Sequence, residues 1–435
     1  MCALPLKHAG HSVTIIERDG GDRESHQAGI GMGLDVYRLL AQHDRIRRPF
    51  SSRNTQVQLV KHDGSVQVMA YGRGGITTWD AFYYRLRSLF DGHVSSYYPT
   101  APQSSDKDGH VSYESGQEVI DIARDDEDDS QMVLTVRNRD TQAVSKIRAD
   151  LVIAADGASS SIRARYLGAH DRRSVGYVTW RGTVPESKVS EATLQTLKRS
   201  VSLHRTLDQK QHCVIYIMPG PDGSLEPGER LINCAWYTNE SPESLDEILT
   251  DRIDGHRHRN TVPAGRIRTE IWDARVKAAR DKGMLAAPFL EVVEKIERPF
   301  LQVITETDPP PHAAFEDGKV LLVGEALCQL RPHTGFSSAH AAFHALCVHE
   351  YVRGRMTLGE IDDSVTRFAR LHWWQSLWYG EMYQGRKISA LVAACHFWWH
   401  ATVDRFRAWR TGRKPLLRVG AAAQADESVV AAVAI

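Results

Sequence analysis

Three stretches of this chain combine residue types suited to holding a polar small molecule at the end of a strand. Gly318 to Ala326 (GKVLLVGEA) is an apolar run closing on Gly324-Glu325, with Arg331-Pro332-His333-Thr334-Gly335 just beyond it. Asp150 to Gly157 (DLVIAADG) closes in the same way on Asp156-Gly157, and Ser12 to Arg18 (SVTIIER) ends on Glu17-Arg18. Glycine lets backbone approach a ligand, a carboxylate accepts hydrogen bonds from sugar-like hydroxyls, and a helix start favours negative charge. One strand ending in Gly-acid is common in α/β proteins. A second and a third shift the balance toward a cofactor site at the carboxyl ends of parallel strands.

The elements that must position these residues follow from periodicity and punctuation. Ser159, Ser160 and Ser161 offer N-caps for a helix carrying Arg163 and Arg165, and a helix-patterned segment starts at about Ser337. Met1 to Gly10 reads as the latter half of a helix with Gly10 as its C-cap, and Gln27 to Leu34 (QAGIGMGL) as a glycine-rich turn before a helix over Asp35 to Gln42. Val57 to Val60 and Val66 to Ala70, joined by Asp63-Gly64, form a hairpin; Thr78 or Asp80 caps a helix running through Phe90, with Arg85 and Arg87 on its solvated face. Glu118 to Ala123, Met132 to Val136 and Ala143 to Ile147 are antiparallel strands, and Arg124 to Asp129 (RDDEDD) is a solvated loop. From Arg173 to Arg298 the pattern turns to strands: Val175 to Val184, Ser200 to Arg205, Cys213 to Met218 and Arg230 to Tyr237. Tryptophans and tyrosines then crowd the last helices, from Trp373 to Trp399, as packing that latches them onto the sheet or as a partner surface.

Bulk properties bound the class. The 435 residues allow two or three domains, 42% are hydrophobic and 25% charged, and 54 basic residues balance 54 acidic ones, so nothing suggests nucleic acid. No apolar run reaches the roughly 18 residues of a membrane span. Six scattered cysteines without a CxxC favour a reducing, cytoplasmic setting. His340 and His344 are spaced like a zinc-binding pair, yet no acid of the HExxH kind and no third ligand accompanies them, so no metal is expected. Arg252 to Arg259 (RIDGHRHR) likewise reads as a solvated loop.

In their order and spacing these motifs resemble the flavin-dependent aromatic hydroxylases, single-component FAD monooxygenases built like para-hydroxybenzoate hydroxylase. Val178 to Glu186, Gly223 to Tyr237 and Arg331-Pro332-His333 are similar to the branch of 2,6-dihydroxypyridine 3-hydroxylase. The resemblance implies a mixed α/β (α+β) fold: a Rossmann-like FAD-binding domain in two parts (1–172 and 301–353), a β-sheet substrate domain (173–300), C-terminal helices (354–412) and a mobile tail (413–435). It implies FAD held by Glu17, Arg18, Ala28, Gly29, Asp156, Gly157, Gly324, Glu325, Pro332, Gly335 and Ser338, with NADPH or NADH as co-substrate. Trp180, Arg181, Tyr216 and Trp236, together with Asn233 and Tyr237, are the implied pocket residues, although strand alternation sends only half of them to the pocket face. His333 is the implied polar group beside the flavin. The partners are a small aromatic substrate and O2, with a homodimer as a further expectation.

Three departures from the family pattern stand out. In a dinucleotide-binding unit the GxGxxG loop lies about 20 residues before the ribose-binding acid, and only sixteen residues precede Glu17. Either the reading frame has been started at an internal Met or the element has been lost. Glu325 stands where the family has Asp, and Ser337 where it has a second glycine. Two readings therefore stay open: a monooxygenase acting on a small electron-rich ring, or a degenerate flavin-free relative.

Overall fold

The apolar runs ending on Asp156-Gly157 and Gly324-Glu325 become adjacent strands. In the computed structural model, which describes residues 1–21, 28–53, 56–71, 74–168, 172–412 and 415–416, Val152–Ala154 and Val320–Leu322 pair in parallel, and Ala314–Phe315 adds an antiparallel edge. Val320, Leu321 and Leu322 are all buried, as an unbroken apolar strand requires. Cys347 and Val348 of the helix Ser337–Val352 join their core, as do Val365, Ala369 and Trp373 of the helix Leu358–Tyr383. Val13–Ile16 pairs in parallel with Val111–Glu114 in a separate two-stranded piece. Both pieces of parallel sheet line one large cavity, through Val13 to Ile16 and through Val152 to Ala154.

An eight-stranded sheet roofs that cavity. Its order is Thr261–Val262, Phe300–Glu306, Arg173–Pro185, Leu231–Asn239, His212–Met218, Ser200–Arg205, Gln56–Val60 and Val66–Tyr71. The 173–300 stretch supplies most of it, and the hairpin at residues 56–71 joins through a parallel pairing of Gln56–Val60 with Ser200–Arg205. Alternation then sorts the side chains. Trp180, Cys213, Ile215, Cys234 and Trp236 face the helices Thr269–Asp281 and Ala287–Glu294, where they meet Trp272, Phe289 and Val292. Arg181, His212, Val214, Tyr216, Ala235 and Tyr237 face the cavity. Trp180 and Trp236 are thus corrected from pocket residues to core residues: they lie opposite each other in register on the far face of the sheet.

The capping signals act as read. Thr78 accepts from Ala81 N–H and Ser160 from Arg163 N–H; Thr357 with Glu360, which carried no earlier expectation, forms a capping box at the start of Leu358–Tyr383. The antiparallel strands Gln117–Arg124, Met132–Asn138 and Val144–Ala149 also form as expected. In the acidic run that follows Arg124, Asp125 pairs with Arg148, while Arg124 reaches Glu316 and Asp317. Arg85 was misplaced on a solvated face. It is 1% exposed, donates to Asp44 (2.6 Å) and to the carbonyls of Ile46 and Arg48, and lies over the Phe50 ring. Arg87 is largely buried as well, paired with Asp91 and stacked on Tyr113. In the C-terminal helices Trp373 and Phe397 pack inward, whereas Trp398, Trp399 and Trp409 of Lys387–Thr411 stand in solvent. Apart from 415–416, the tail from 413 lies outside the described residues. No helix among the described residues is long and apolar enough to cross a membrane.

Removing one partner of a buried ion pair strands the other charge, so Arg85→Ala is expected to destabilise the fold by about 3 to 5 kcal/mol. Urea unfolding of the variant measures this; a loss under about 1 kcal/mol would refute the assigned role.

Candidate functional site

The cavity, about 2510 Å³, exceeds the usual ligand pocket of roughly 300 to 1,000 Å³. The three sequence motifs converge on it: Glu17 and Arg18 at one end, Ala28, Gly29, Asp156, Gly157, Gly324 and Glu325 along it, and Pro332, His333, Gly335 and Ser338 near the sheet. Arg181 and Tyr216 look down from the roof.

Local geometry shows how each motif is held. Asp156 Oδ2 accepts from the N–H groups of Ser161 (2.8 Å) and Ile162 (3.3 Å), capping the short helix Ser161–Leu167. Arg163, buried on that helix, donates to Ala158 O (2.6 Å) and Ala326 O (2.7 Å) and so ties the Asp156-Gly157 turn to the Gly324-Glu325 turn. His344 Nδ1 accepts from Gly324 N–H at 2.9 Å and braces that turn from beneath. Burial pushes the Glu325 carboxyl up from its ordinary value, with Arg172 as the opposing charge. Glu17 accepts from Asp19 N–H (2.9 Å), and Arg18 is mostly exposed.

The loop Pro332 to Ser338 is clamped to the strand Gly29–Met32. Ser338 Oγ donates to Gly31 O, and a Cβ on Gly31 would stand 2.9 Å from Gly335 O, so only glycine permits this approach. Gly29 lies directly beneath the Tyr216 ring. Beyond the loop, His333 Nε2 is 2.7 Å from the Tyr177 hydroxyl. Arg331, 5% exposed, donates to Glu306 (2.7 Å) and Glu381, which fixes the base of the loop to the sheet and to the helix Leu358–Tyr383. Burial and the neighbouring Arg331 charge lower His333 to about 3, so it is a neutral donor and acceptor at ordinary pH. His212, missed in the sequence because it opens a strand with no motif around it, completes this end of the cavity with Tyr237 and Tyr383.

The arrangement can bind an elongated ligand along the sheet and close a planar ring against the roof. The FAD binding domain-like family model matches residues 174–306. The 2,6-dihydroxypyridine 3-monooxygenase of Paenarthrobacter nicotinovorans is 27% identical over 379 residues, covering 84% of this chain and 83% of that protein. The structure of 2,6-dihydroxypyridine-3-hydroxylase from Arthrobacter nicotinovorans matches with TM-score 0.68 at 23% identity, covering 88% of this chain and 90% of the other. A salicylate hydroxylase substrate complex matches with TM-score 0.61 at 17% identity, over 97% and 98% of the two chains. The fold is therefore that of the flavin-dependent aromatic hydroxylases, and the resemblance read from the motifs holds over most of the chain.

Two outcomes test this geometry. His333 and His344 are lowered from 6.5 to about 3 and His372 to about 4 by burial. Below 6.5 the unfolded chain takes up protons that the folded one refuses, so stability is full above 6.5 and falls as pH drops toward 4. Melting temperature against pH should show this loss, and a flat profile from pH 7 to 4.5 would contradict it. Gly380 in the long helix is the second test: a Cβ there would sit 2.9 Å from both His333 Cδ2 and Tyr177 Oη. Gly380→Ala, ordinarily worth about 0.5 to 1 kcal/mol of added helix stability, is expected to lower the melting temperature instead.

Proposed function

We propose that this chain is an FAD-dependent monooxygenase that hydroxylates a small electron-rich aromatic or N-heteroaromatic ring, using NAD(P)H and O2. The observation that carries the reading is that one cavity is lined by Glu17, Asp156-Gly157 and Gly324-Glu325 and also by Arg181 and Tyr216 of the large sheet. FAD, when bound, supplies electron transfer from NAD(P)H and the activation of O2 for insertion of one oxygen atom.

The residues lining the cavity suit the ribose, ribityl and ring portions of such a group. Glu17 would meet the adenosine ribose and Glu325 the ribityl chain, whose hydroxyls can donate to their carboxylates. Gly29 and Gly31 let the strand Gly29–Met32 lie against the Tyr216 ring and Gly335 O at the cavity wall. The loop Pro332 to Ser338 presents backbone N–H groups at the start of a 16-residue helix, where negative charge on the ring system is stabilised. Arg181 and Tyr216 orient the substrate ring from above, and the sheet excludes water. His333, held neutral and bonded to Tyr177, positions a polar substituent of that ring rather than carrying a positive charge.

With FAD supplied, a panel of hydroxypyridines and phenols should contain at least one ring that accelerates NAD(P)H oxidation and gains one oxygen atom by mass. Stimulation yielding only hydrogen peroxide, or no stimulation by any ring, would overturn the assignment. Glu325→Ala should weaken FAD binding by about tenfold or more, the worth of one charge-assisted hydrogen bond at roughly 1.5 to 3 kcal/mol.

A further inference from the structure

The last helix, Lys387–Thr411, turns its small apolar residues inward and its large ones outward. Ala390, Ala393, Ala401 and Ala408, with Phe397, are buried on the side that packs against the helix Leu358–Tyr383. On the other side Ile388 is 83% exposed, Trp399 66% and Trp409 78%, and Leu391, Trp398 and Phe406 are at least half exposed as well. Spacings of three, seven and eleven residues put these six on one stripe, and from Ile388 to Trp409 it is about 32 Å long. Large apolar side chains of roughly 150 to 250 Å² each leave a stripe on the order of 1,000 Å² exposed here. The largest apolar patch on a typical monomer is roughly 300 to 600 Å².

Charge decides what such a surface faces. Arg405, Arg407, Arg410, Arg413, Lys414 and Arg418 succeed one another with no acid before Asp426. Arg405 and Arg410, beside Phe406 and Trp409, are exposed, as is Lys387 at the other end of the helix. The helix's own carboxylate, Asp404, is buried against Arg367, and Arg407 is paired with Asp363. A second copy of the chain is therefore a poor match: laid antiparallel it sets Arg405 and Arg410 against the other Lys387, and laid parallel against their own kind. A tryptophan-rich apolar face with arginines at its margin matches the boundary between lipid headgroups and acyl chains, where indole rings settle and anionic headgroups attract cations. No helix among the described residues is apolar enough to cross a bilayer, so the contact lies along the surface.

We propose that the outer face of Lys387–Thr411 seats the protein on an anionic bilayer surface, with Trp398, Trp399 and Trp409 in the headgroup layer and Arg405 and Arg410 against the anionic lipids. The proposal stands apart from the ring-hydroxylation reading and does not need it. Tyr383, which lines the cavity, lies four residues before the helix begins, so the seated helix is joined closely to the cavity wall.

The test reads binding rather than turnover. The full chain with FAD added is sedimented with vesicles of phosphatidylcholine alone and with vesicles that also carry roughly one-third phosphatidylserine. The expected result is binding to the anionic vesicles that is about tenfold or more tighter than to the neutral ones and weakens with salt, with tryptophan fluorescence moving to the blue. Trp399→Ser combined with Trp409→Ser should lower the affinity about tenfold or more and leave the melting temperature in solution unchanged. Arg405→Gln combined with Arg410→Gln should erase most of the preference for anionic vesicles, each cation contributing about fivefold. Sedimentation with neither vesicle, equal binding to both, or binding that survives the tryptophan substitutions would each overturn the proposal. So would a dimer in solution that the tryptophan substitutions split into monomers, because the stripe then belongs to a second copy, and so would vesicle binding that appears only once residues 417–435 are removed, because the stripe then belongs to the chain's own tail.

Discussion

A guanidinium that cannot shed its charge sits at the junction of this molecule. Arg331 is almost wholly removed from solvent, and a buried cation is tolerated only when it is paired and hydrogen-bonded. Its two carboxylates come from different places: Glu306 ends the strand Phe300–Glu306 of the large sheet, and Glu381 lies near the end of the helix Leu358–Tyr383. Separating either element would leave charge unpaired in a dry site. The loop that starts at Pro332 therefore has a fixed origin, and the sheet, loop and helix behave as one frame around the ring-binding end of the cavity.

What was legible in the sequence was local. Apolar runs closing on Asp156-Gly157 and Gly324-Glu325 announced buried strands because a strand covered on both faces needs no polar residue until its end. Caps at Thr78 and Ser160 were legible for the same reason, since each side chain serves a backbone group three residues on. Strand positions in 173–300 were also recoverable, but which face meets the ligand was not: Trp180 and Arg181 are adjacent, and alternation assigns them to opposite sides only once one of them is anchored in space. Residue type misled there, because large aromatics suit a pocket and a core equally.

The other misreadings share a long-range cause. Arg85 was taken as solvated because arginine on a helix usually is, and its partners Asp44, Ile46 and Arg48 lie about forty residues back in the chain. Setting zinc aside at His344 left its actual role unread, because its partner is the backbone of Gly324, 20 residues upstream. His212 carried no signal at all, since its significance arises only where the strand His212–Met218 crosses above the loop carrying His333. Motifs record the parts of a site that are contiguous; the polar contacts that assemble it come from tertiary packing and leave no spacing to read.

The division of the parallel sheet has a thermodynamic meaning. Val13–Ile16 and Val152–Ala154 both line the cavity and do not pair with each other, so an occupant of that space adds contacts to both pieces beside those of the core they share. A ligand that binds the folded chain and not the unfolded one adds stability that grows with the logarithm of its concentration, about 2.7 kcal/mol at a hundredfold excess over Kd. For a protein of ordinary marginal stability that is a large fraction of the total. The steady amount of this protein in a cell would then follow the supply of its ligand, through the rate at which unliganded chains are cleared.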